Sequence, residues 1–184
     1  MAGPTWRPVP GAVARVIEEN WLFQLVRERY RSNISGKEHD FYVMRLADSV
    51  NVIATTTDHN LVMVRQFRAG SGEDSLEIPG GLLNPGEDAA VAGARELLEE
   101  TGYAGDTPTV VGSVWSNPSI MNSRSTTIHI ANARRVAETD FDPGEELSLE
   151  LLPEGEVLRA IRDGRINHAL VVTALLSWRV EDRP

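Results

Sequence analysis

Apolar and polar positions alternate on two different periods along this chain. Val50–Thr57 and Leu61–Phe67 are dense aliphatic runs on either side of Asp58-His59-Asn60, and they predict a hairpin of largely buried strands. Residues 12–30 are ambiguous: Val13, Val16 and Ile17 suggest a helical turn, whereas Trp21, Phe23 and Leu25 alternate as in a strand. The alternation favours a strand from about Trp21 to Tyr30, a turn through Ser32–Lys37 and a partner strand over His39–Leu46. Further strands are expected at Ser75–Pro79, Thr109–Trp115, Ser125–Ala131 and Leu147–Leu152, with a polar loop over Ser116–Arg124. Pro153 should open a helix to about Arg162, Gly164 should break it, and Asn167 should cap a last helix to about Arg179. Residues 1–11, holding Pro4, Pro8, Pro10 and Gly11, read as a loose arm.

The clearest helical signal lies in Gly81–Tyr103. Asn84 suits the N-cap, Pro85 the first helical position, and Glu87 a capping box with Asn84; Gly102 is a left-handed stop. Val91, Ala94, Leu97 and Leu98 form an apolar stripe at helical spacing. Strands outnumber helices and do not alternate with them strictly, so an α+β fold, or a helix–sheet–helix sandwich, fits better than a doubly wound sheet.

Charge changes the picture more than length does. The 184 residues suit one domain, but Asp and Glu outnumber Lys and Arg by 27 to 18, for a net charge of −9. A surface of that sign argues against nucleic acid as a partner, and a protein of that sign handling phosphates must recruit cations. There is no cysteine, hence no disulfide framework, thiolate metal site or cysteine nucleophile. No window approaches the roughly 18 apolar residues of a membrane span, and the first residues lack a signal-peptide core, so no membrane association and a cytoplasmic location are expected. His39, His59, His129 and His168 are scattered without ligand spacing.

One helix face carries chemistry. Glu96, Glu99 and Glu100 stand at i, i+3 and i+4, where like charges cost a few tenths of a kcal/mol per pair. A hard divalent cation, Mg²⁺ or Mn²⁺, would explain that concentration. A solvated acidic face with an Arg95–Glu99 pair would explain it as well.

The full pattern is G-x5-E-x7-R-E-U-x-E-E-x-G-U, with U a bulky apolar residue. Gly81, Glu87, Arg95, Glu96, Leu97, Glu99, Glu100, Gly102 and Tyr103 meet every fixed position, and the chain thereby resembles the Nudix hydrolases. The resemblance implies an α/β/α sandwich with a mixed sheet. It implies a hydrolase domain over 47–184, preceded by a region (1–46) whose arm and antiparallel strands serve dimerisation in relatives acting on ADP-ribose and nucleotide sugars. It implies Glu96, Glu99 and Glu100 as metal ligands, with the Gly80 carbonyl as a further one. Arg95 would orient carboxylates through its guanidinium fork. Gly81, Glu87 and Gly102 would be structural.

The same resemblance narrows the substrate. Arg65-Gln66-Phe67-Arg68 is similar to a run ahead of the box in the ADP-ribose branch, which gives Arg68 the diphosphate. Glu77 matches a position near the substrate, with a structural hydrogen bond as the alternative. Pro118, sixteen residues after Gly102, marks the ADP-ribose and nucleotide-sugar branch, and the Asn117–Arg124 loop, including Arg124, would contact the sugar or terminal phosphate. Ser119 and Gly80 depart from common ADP-ribose patterns and keep other sugar nucleotides open. Trp21 would reach a nucleotide site in the partner subunit. Relatives take their general base from the box or from a later loop, where Glu145 in Asp140–Glu146 is the choice, against a solvated turn. The expected activity is Mg²⁺-dependent cleavage of ADP-ribose or a nucleoside diphosphate sugar. The alternatives are hydrolysis of nucleoside triphosphates or dinucleoside polyphosphates, and a non-catalytic nucleotide sensor.

Overall fold

The computed structural model describes residues 3–141 and 146–181. These form two compact units, the first from the residues up to Ala47 together with Trp115–Ser123, the second from Asp48–Val114 and the residues from Arg124 on.

The first unit is an antiparallel sheet of β1 (Trp6–Pro8), β2 (Arg15–Glu19), β3 (Gln24–Ser32) and β4 (Glu38–Arg45). β3 is central: β4 runs along one edge, while β1 and β2 share the other. Successive side chains of β3 point to opposite faces. Tyr30 and Phe41 pack edge to face at 5.5 Å with Trp6 5.3 Å from Phe41, and Arg29 and Arg31 on the other face pair with Asp40 and Glu38. Three expectations are corrected here. The arm is not loose throughout, because Trp6–Pro8 pairs with Tyr30–Ser32, and an edge position tolerates Pro8. The helical turn at Val13–Ile17 gives way to β2. The β3 strand starts at Gln24 rather than Trp21, because the Asn20 side chain accepts the N–H groups of Leu22 and Phe23 (2.9 and 3.0 Å) and closes a turn there.

The second unit contains β5 (Ser49–Thr56), β6 (Asn60–Arg68), β7 (Glu73–Glu77), β8 (Gly80–Leu82), α1 (Ala89–Thr101), β9 (Tyr103–Ala104), β10 (Thr109–Trp115), β11 (Arg124–Arg135), β12 (Leu147–Pro153), a 3-10 turn (Glu154–Glu156), α2 (Val157–Arg162) and α3 (Ala169–Glu181). The sheet order is β10-β11-β5-β6-β12, with β7 on β6, β8 on β5 and β9 on β11. β11 and β5 are parallel while β6 pairs antiparallel with β5, β7 and β12, so the sheet is mixed.

Both faces of this sheet are covered, which is why its central strands are nearly continuous apolar runs. Val50, Val52, Ala54, Val62, Ile128 and Ile130 pack with Ala92 and Leu97 of α1. Ile53, Leu61, Met63 and Leu76 point the other way, against Val157, Ala160, Val171, Leu175 and Trp178 of α2 and α3. This is the expected α+β arrangement of helix, sheet and helix. Two end signals shift slightly: Pro153 leads into the 3-10 turn before α2, and α3 begins at Ala169 with the His168 carbonyl accepting from Val172, so Asn167 precedes the cap position.

Candidate active site

Two glycines and one helix build the site. In β8, Gly80 and Gly81 pair with Asn51 and Val50 of β5. A Cβ on Gly80 would lie 2.2 Å from the Val50 carbonyl oxygen, and one on Gly81 would lie 2.4 Å from Glu96 Oε1. The chain is thereby brought flush against the sheet on one side and against α1 on the other.

The cap of α1 lies four residues beyond Asn84, the cap expected from the sequence. Asp88 is the N-cap, its carboxylate accepting from the N–H groups of Ala90 and Val91. Asn84 and Glu87 do bond reciprocally, Asn84 N–H to Glu87 Oε2 and Glu87 N–H to the Asn84 carbonyl, each at 2.9 Å. They close a turn rather than a helix, and Pro85 lies in that turn. Asp88 ahead of Ala-Ala-Val was the overlooked signal. At the other end Gly102 takes φ 72° and donates to the Leu98 carbonyl, as a left-handed stop should.

The buried stripe of α1 also differs from the expected one. Ala92, Gly93, Leu97, Glu100 and Thr101 are buried, whereas Val91, Ala94 and Leu98 are exposed. The reason is proximity: a Cβ on Gly93 would sit 2.2 Å from Ile128 Cδ1, so the helix lies too near the sheet for large side chains there.

Arg95 gathers the carboxylates. Its Nε and Nη2 donate to Glu87 Oε1 and Oε2 (3.0 and 3.1 Å), and its Nη1 to Glu96 Oε1 and Glu99 Oε2, both at 2.9 Å. The bonds from Arg95, then the backbone N–H of Asn84, hold the Glu87 carboxyl at about 2, well below its ordinary value. Glu87, ahead of Glu99 and Glu96, raises the Arg95 pKa against the effect of burial, so the guanidinium is permanently charged. Glu100, only 5% exposed, accepts the Gly80 N–H on Oε2 at 3.0 Å.

These carboxylates are hard oxygen donors of the kind a divalent ion takes. As they stand, Glu96 and Glu99 converge on Arg95, and among the described residues no three acidic or histidine side chains close on a common point. Glu99 is the most open of the set, with its side chain 42% exposed.

Arg68 and Glu77 form a second charged pair. Arg68 Nε and Nη2 donate to Glu77 Oε1 and Oε2 at 2.9 and 2.7 Å. Burial pushes the Glu77 carboxyl up, but the hydrogen bonds and charge of Arg68 outweigh it and the net direction is down. Arg124 is engaged by Ser113, its Nε and Nη2 donating to the hydroxyl and carbonyl at 3.1 Å, while its N–H donates to Asp48. Pro118 and Trp21 belong to the first unit: Pro118 within a turn closed by Asn117, Trp21 at the β2–β3 hairpin tip with 91% of its surface exposed. Glu145 lies outside the described residues. Among the described residues no helix is long and apolar enough to cross a membrane.

The NUDIX domain model matches residues 45–175, which include every element of this cluster. The chain belongs to the Nudix family. It is 32% identical over 152 residues to the methanol dehydrogenase activator of Bacillus methanolicus, covering 80% of each chain. It is 27% identical over 145 residues to the ADP-ribose pyrophosphatase of Bacillus subtilis, covering 74% of this chain and 77% of that one. A crystal structure of an ADP compounds hydrolase superposes with a TM-score of 0.84 at 21% identity, over 97% of this chain and 95% of the other, and shows the same Nudix fold.

Proposed function

We propose that this Nudix protein hydrolyses the diphosphate linkage of ADP-ribose or a nucleoside diphosphate sugar, releasing a nucleoside monophosphate and a sugar phosphate, with Mg²⁺ or Mn²⁺ as cofactor. The observation that carries the reading is the carboxylate set of α1 gathered on Arg95 and seated against Gly80-Gly81. Similarity to the Bacillus subtilis ADP-ribose pyrophosphatase supports the choice of substrate class.

Glu96, Glu99 and Glu100, with the Gly80 carbonyl, would hold the metal. Bound there, a divalent ion neutralises diphosphate charge and lowers the pKa of a bound water. Arg95 sets where the Glu96 and Glu99 carboxylates stand, and Glu87 in turn fixes Arg95. Arg68 takes the diphosphate, its planar fork matching phosphate oxygens. Pro118 and Arg124 would serve the sugar side, Glu77 would stand behind Arg68 on the diphosphate side, and Glu145 would be the loop carboxylate that activates water.

A homodimer fits the first unit, whose Val13, Val16, Ile17, Trp21 and Tyr42 are all exposed in the single chain. In the dimer Trp21 would offer its ring to a nucleotide base in the other subunit's site. A second reading is favoured by one observation, the relative described as an activator of another enzyme. In it, the same site would serve a partner enzyme rather than a metabolic pool.

The test is monophosphate release from ADP-ribose, ADP-glucose, GDP-mannose, nucleoside triphosphates and diadenosine polyphosphates with and without Mg²⁺. Dominant turnover of ADP-ribose or a nucleotide sugar is expected. Dominant cleavage of triphosphates or dinucleoside polyphosphates would overturn the branch assignment, and inertness toward the whole panel the hydrolase reading itself. Light scattering checks the dimer, which a clean species of the chain mass, 20.2 kDa, would exclude.

A further inference from the structure

Glu77 and Arg68 differ in their access to solvent. Glu77 is 3% exposed and both of its carboxylate oxygens are engaged by Arg68, whereas the Arg68 side chain remains 41% exposed. A group that contacted substrate directly would need an open edge, and Glu77 turns both of its oxygens to Arg68. Strand register places the pair on a common face: Val64 is opposite Glu77, and Arg68 lies two strand repeats beyond Val64, on the face where Val62 packs toward α1.

The backbone after Glu77 leads straight to the acidic helix. Pro79 offers its carbonyl to the Val52 N–H at 2.8 Å, and the next N–H, of Gly80, donates to Glu100 at 3.0 Å. A segment of three residue steps, about 10 Å when extended, therefore joins the residue that grips Arg68 to the residue that grips Glu100. Each end is pinned by hydrogen bonds, and proline stiffens the middle.

We propose that Glu77 is a positioning residue: it does not touch substrate but fixes the Arg68 guanidinium at a set distance from Glu100, so that one arginine and the acidic helix meet the same diphosphate. This rests on the hydrolase reading above. An unpaired carboxylate at that place would repel a diphosphate, and pairing with Arg68 removes that penalty while orienting the arginine.

The test is a double-mutant cycle of Glu77→Gln and Arg68→Ala on the preferred diphosphate substrate, with kcat and KM measured separately. Glu77→Gln should raise KM about tenfold with kcat changed by less than about threefold, as loss of one oriented charge-assisted contact would. In the Arg68→Ala background it should add less than about twofold, because the residue it acts through is gone. Glu77→Asp, which restores the charge on a shorter stem, should lie between wild type and Gln, and serves as the second variant if Gln folds poorly. A fall in kcat at constant KM, or full multiplication of the two effects, would overturn the proposal while leaving the hydrolase reading intact. A wild type inert on every diphosphate offered would overturn that reading and this one with it.

Discussion

Gly81 lies so close to Glu96 that a Cβ at residue 81 would fall 2.4 Å from Glu96 Oε1 and 2.6 Å from its carboxyl carbon. The glycine is the wall against which one of the three acidic side chains of α1 rests, while Arg95 Nη1 donates to the same Oε1. Position of the carboxylate, more than integrity of the fold, depends on this contact.

Gly81→Ala should accordingly separate activity from stability. The atoms displaced belong to the end of a flexible side chain, which can swing aside at little cost to the core. We expect kcat/KM on the preferred diphosphate to fall at least about tenfold, since misplacing a group by about 1 Å costs that order of rate or more. The melting temperature should move by no more than about 3 °C, corresponding to under about 1 kcal/mol for a chain of this size. A variant with full activity would show that the Glu96 position does not matter.

Gly93 makes the opposite case. In an open helix, glycine to alanine stabilises by about 1 kcal/mol. Here the added carbon would meet Ile128 Cδ1 at 2.2 Å and Cγ1 at 2.9 Å, and Val50 Cγ2 at 3.2 Å, all in a fully buried layer. Overpacking of a filled core costs about 1–3 kcal/mol, which exceeds the propensity gain. Gly93→Ala should lower unfolding free energy by about 1–2 kcal/mol in urea titrations. A stabilised variant would mean that α1 can retreat from the sheet.

That contact also explains what the sequence concealed. The Arg95, Glu96, Glu99 and Glu100 spacing was legible because charges at i, i+3 and i+4 share one helix surface wherever the helix sits. Which side of α1 is buried was not, since Val91, Ala94 and Leu98 look apolar while the face that packs is Ala92, Gly93 and Leu97. Hydrophobic spacing ranks side chains by size, and a helix lying this close to its sheet selects for smallness instead. The start of α1 misled for a related reason: the Asn84 N–H does donate to the Glu87 carboxylate as in a capping box, but the Glu87 N–H returns to the Asn84 backbone carbonyl, and Gly86, at φ 78°, takes the chain out of helical geometry before Asp88 restarts it. The central strands β5 and β6 were plain from their dense aliphatic runs. The short β1 was hidden by prolines that an edge strand tolerates.

Glu99 and Glu100 should respond differently to amide substitution although both belong to the acidic set. Glu99→Gln removes a carboxylate whose side chain is 42% exposed and whose bond to Arg95 is one of several. Turnover should drop to background with the melting temperature unchanged within about 1 °C, because exposed ion pairs contribute little. Glu100→Gln alters a buried acceptor of the Gly80 N–H. It should abolish turnover and also cost about 1–2 kcal/mol, the penalty for weakening a buried hydrogen bond to a charged group. Retention of Mg²⁺-dependent turnover in both variants would remove the acidic helix from the chemistry.

The Glu87–Arg95 pair predicts how the protein meets acid. The folded state holds the Glu87 carboxyl at about 2, against 4.5 in its unperturbed form, chiefly through the Arg95 hydrogen bonds and the Asn84 N–H. A depressed folded pKa means that the unfolded chain binds the proton first, so stability from this group is fully present above about 4.5 and is lost as pH falls toward about 2. Glu87→Gln cannot titrate and lacks that contribution at every pH. Melting curves for wild type and Glu87→Gln should therefore differ most at neutral pH and approach one another below pH 4.5. Because Glu87 also anchors the arginine that holds Glu96 and Glu99, the same variant should lose activity at pH 7, where its fold is intact. If the gap between the two melting profiles were independent of pH from 7 down to 2, the carboxylate of Glu87 would not be the group held by Arg95.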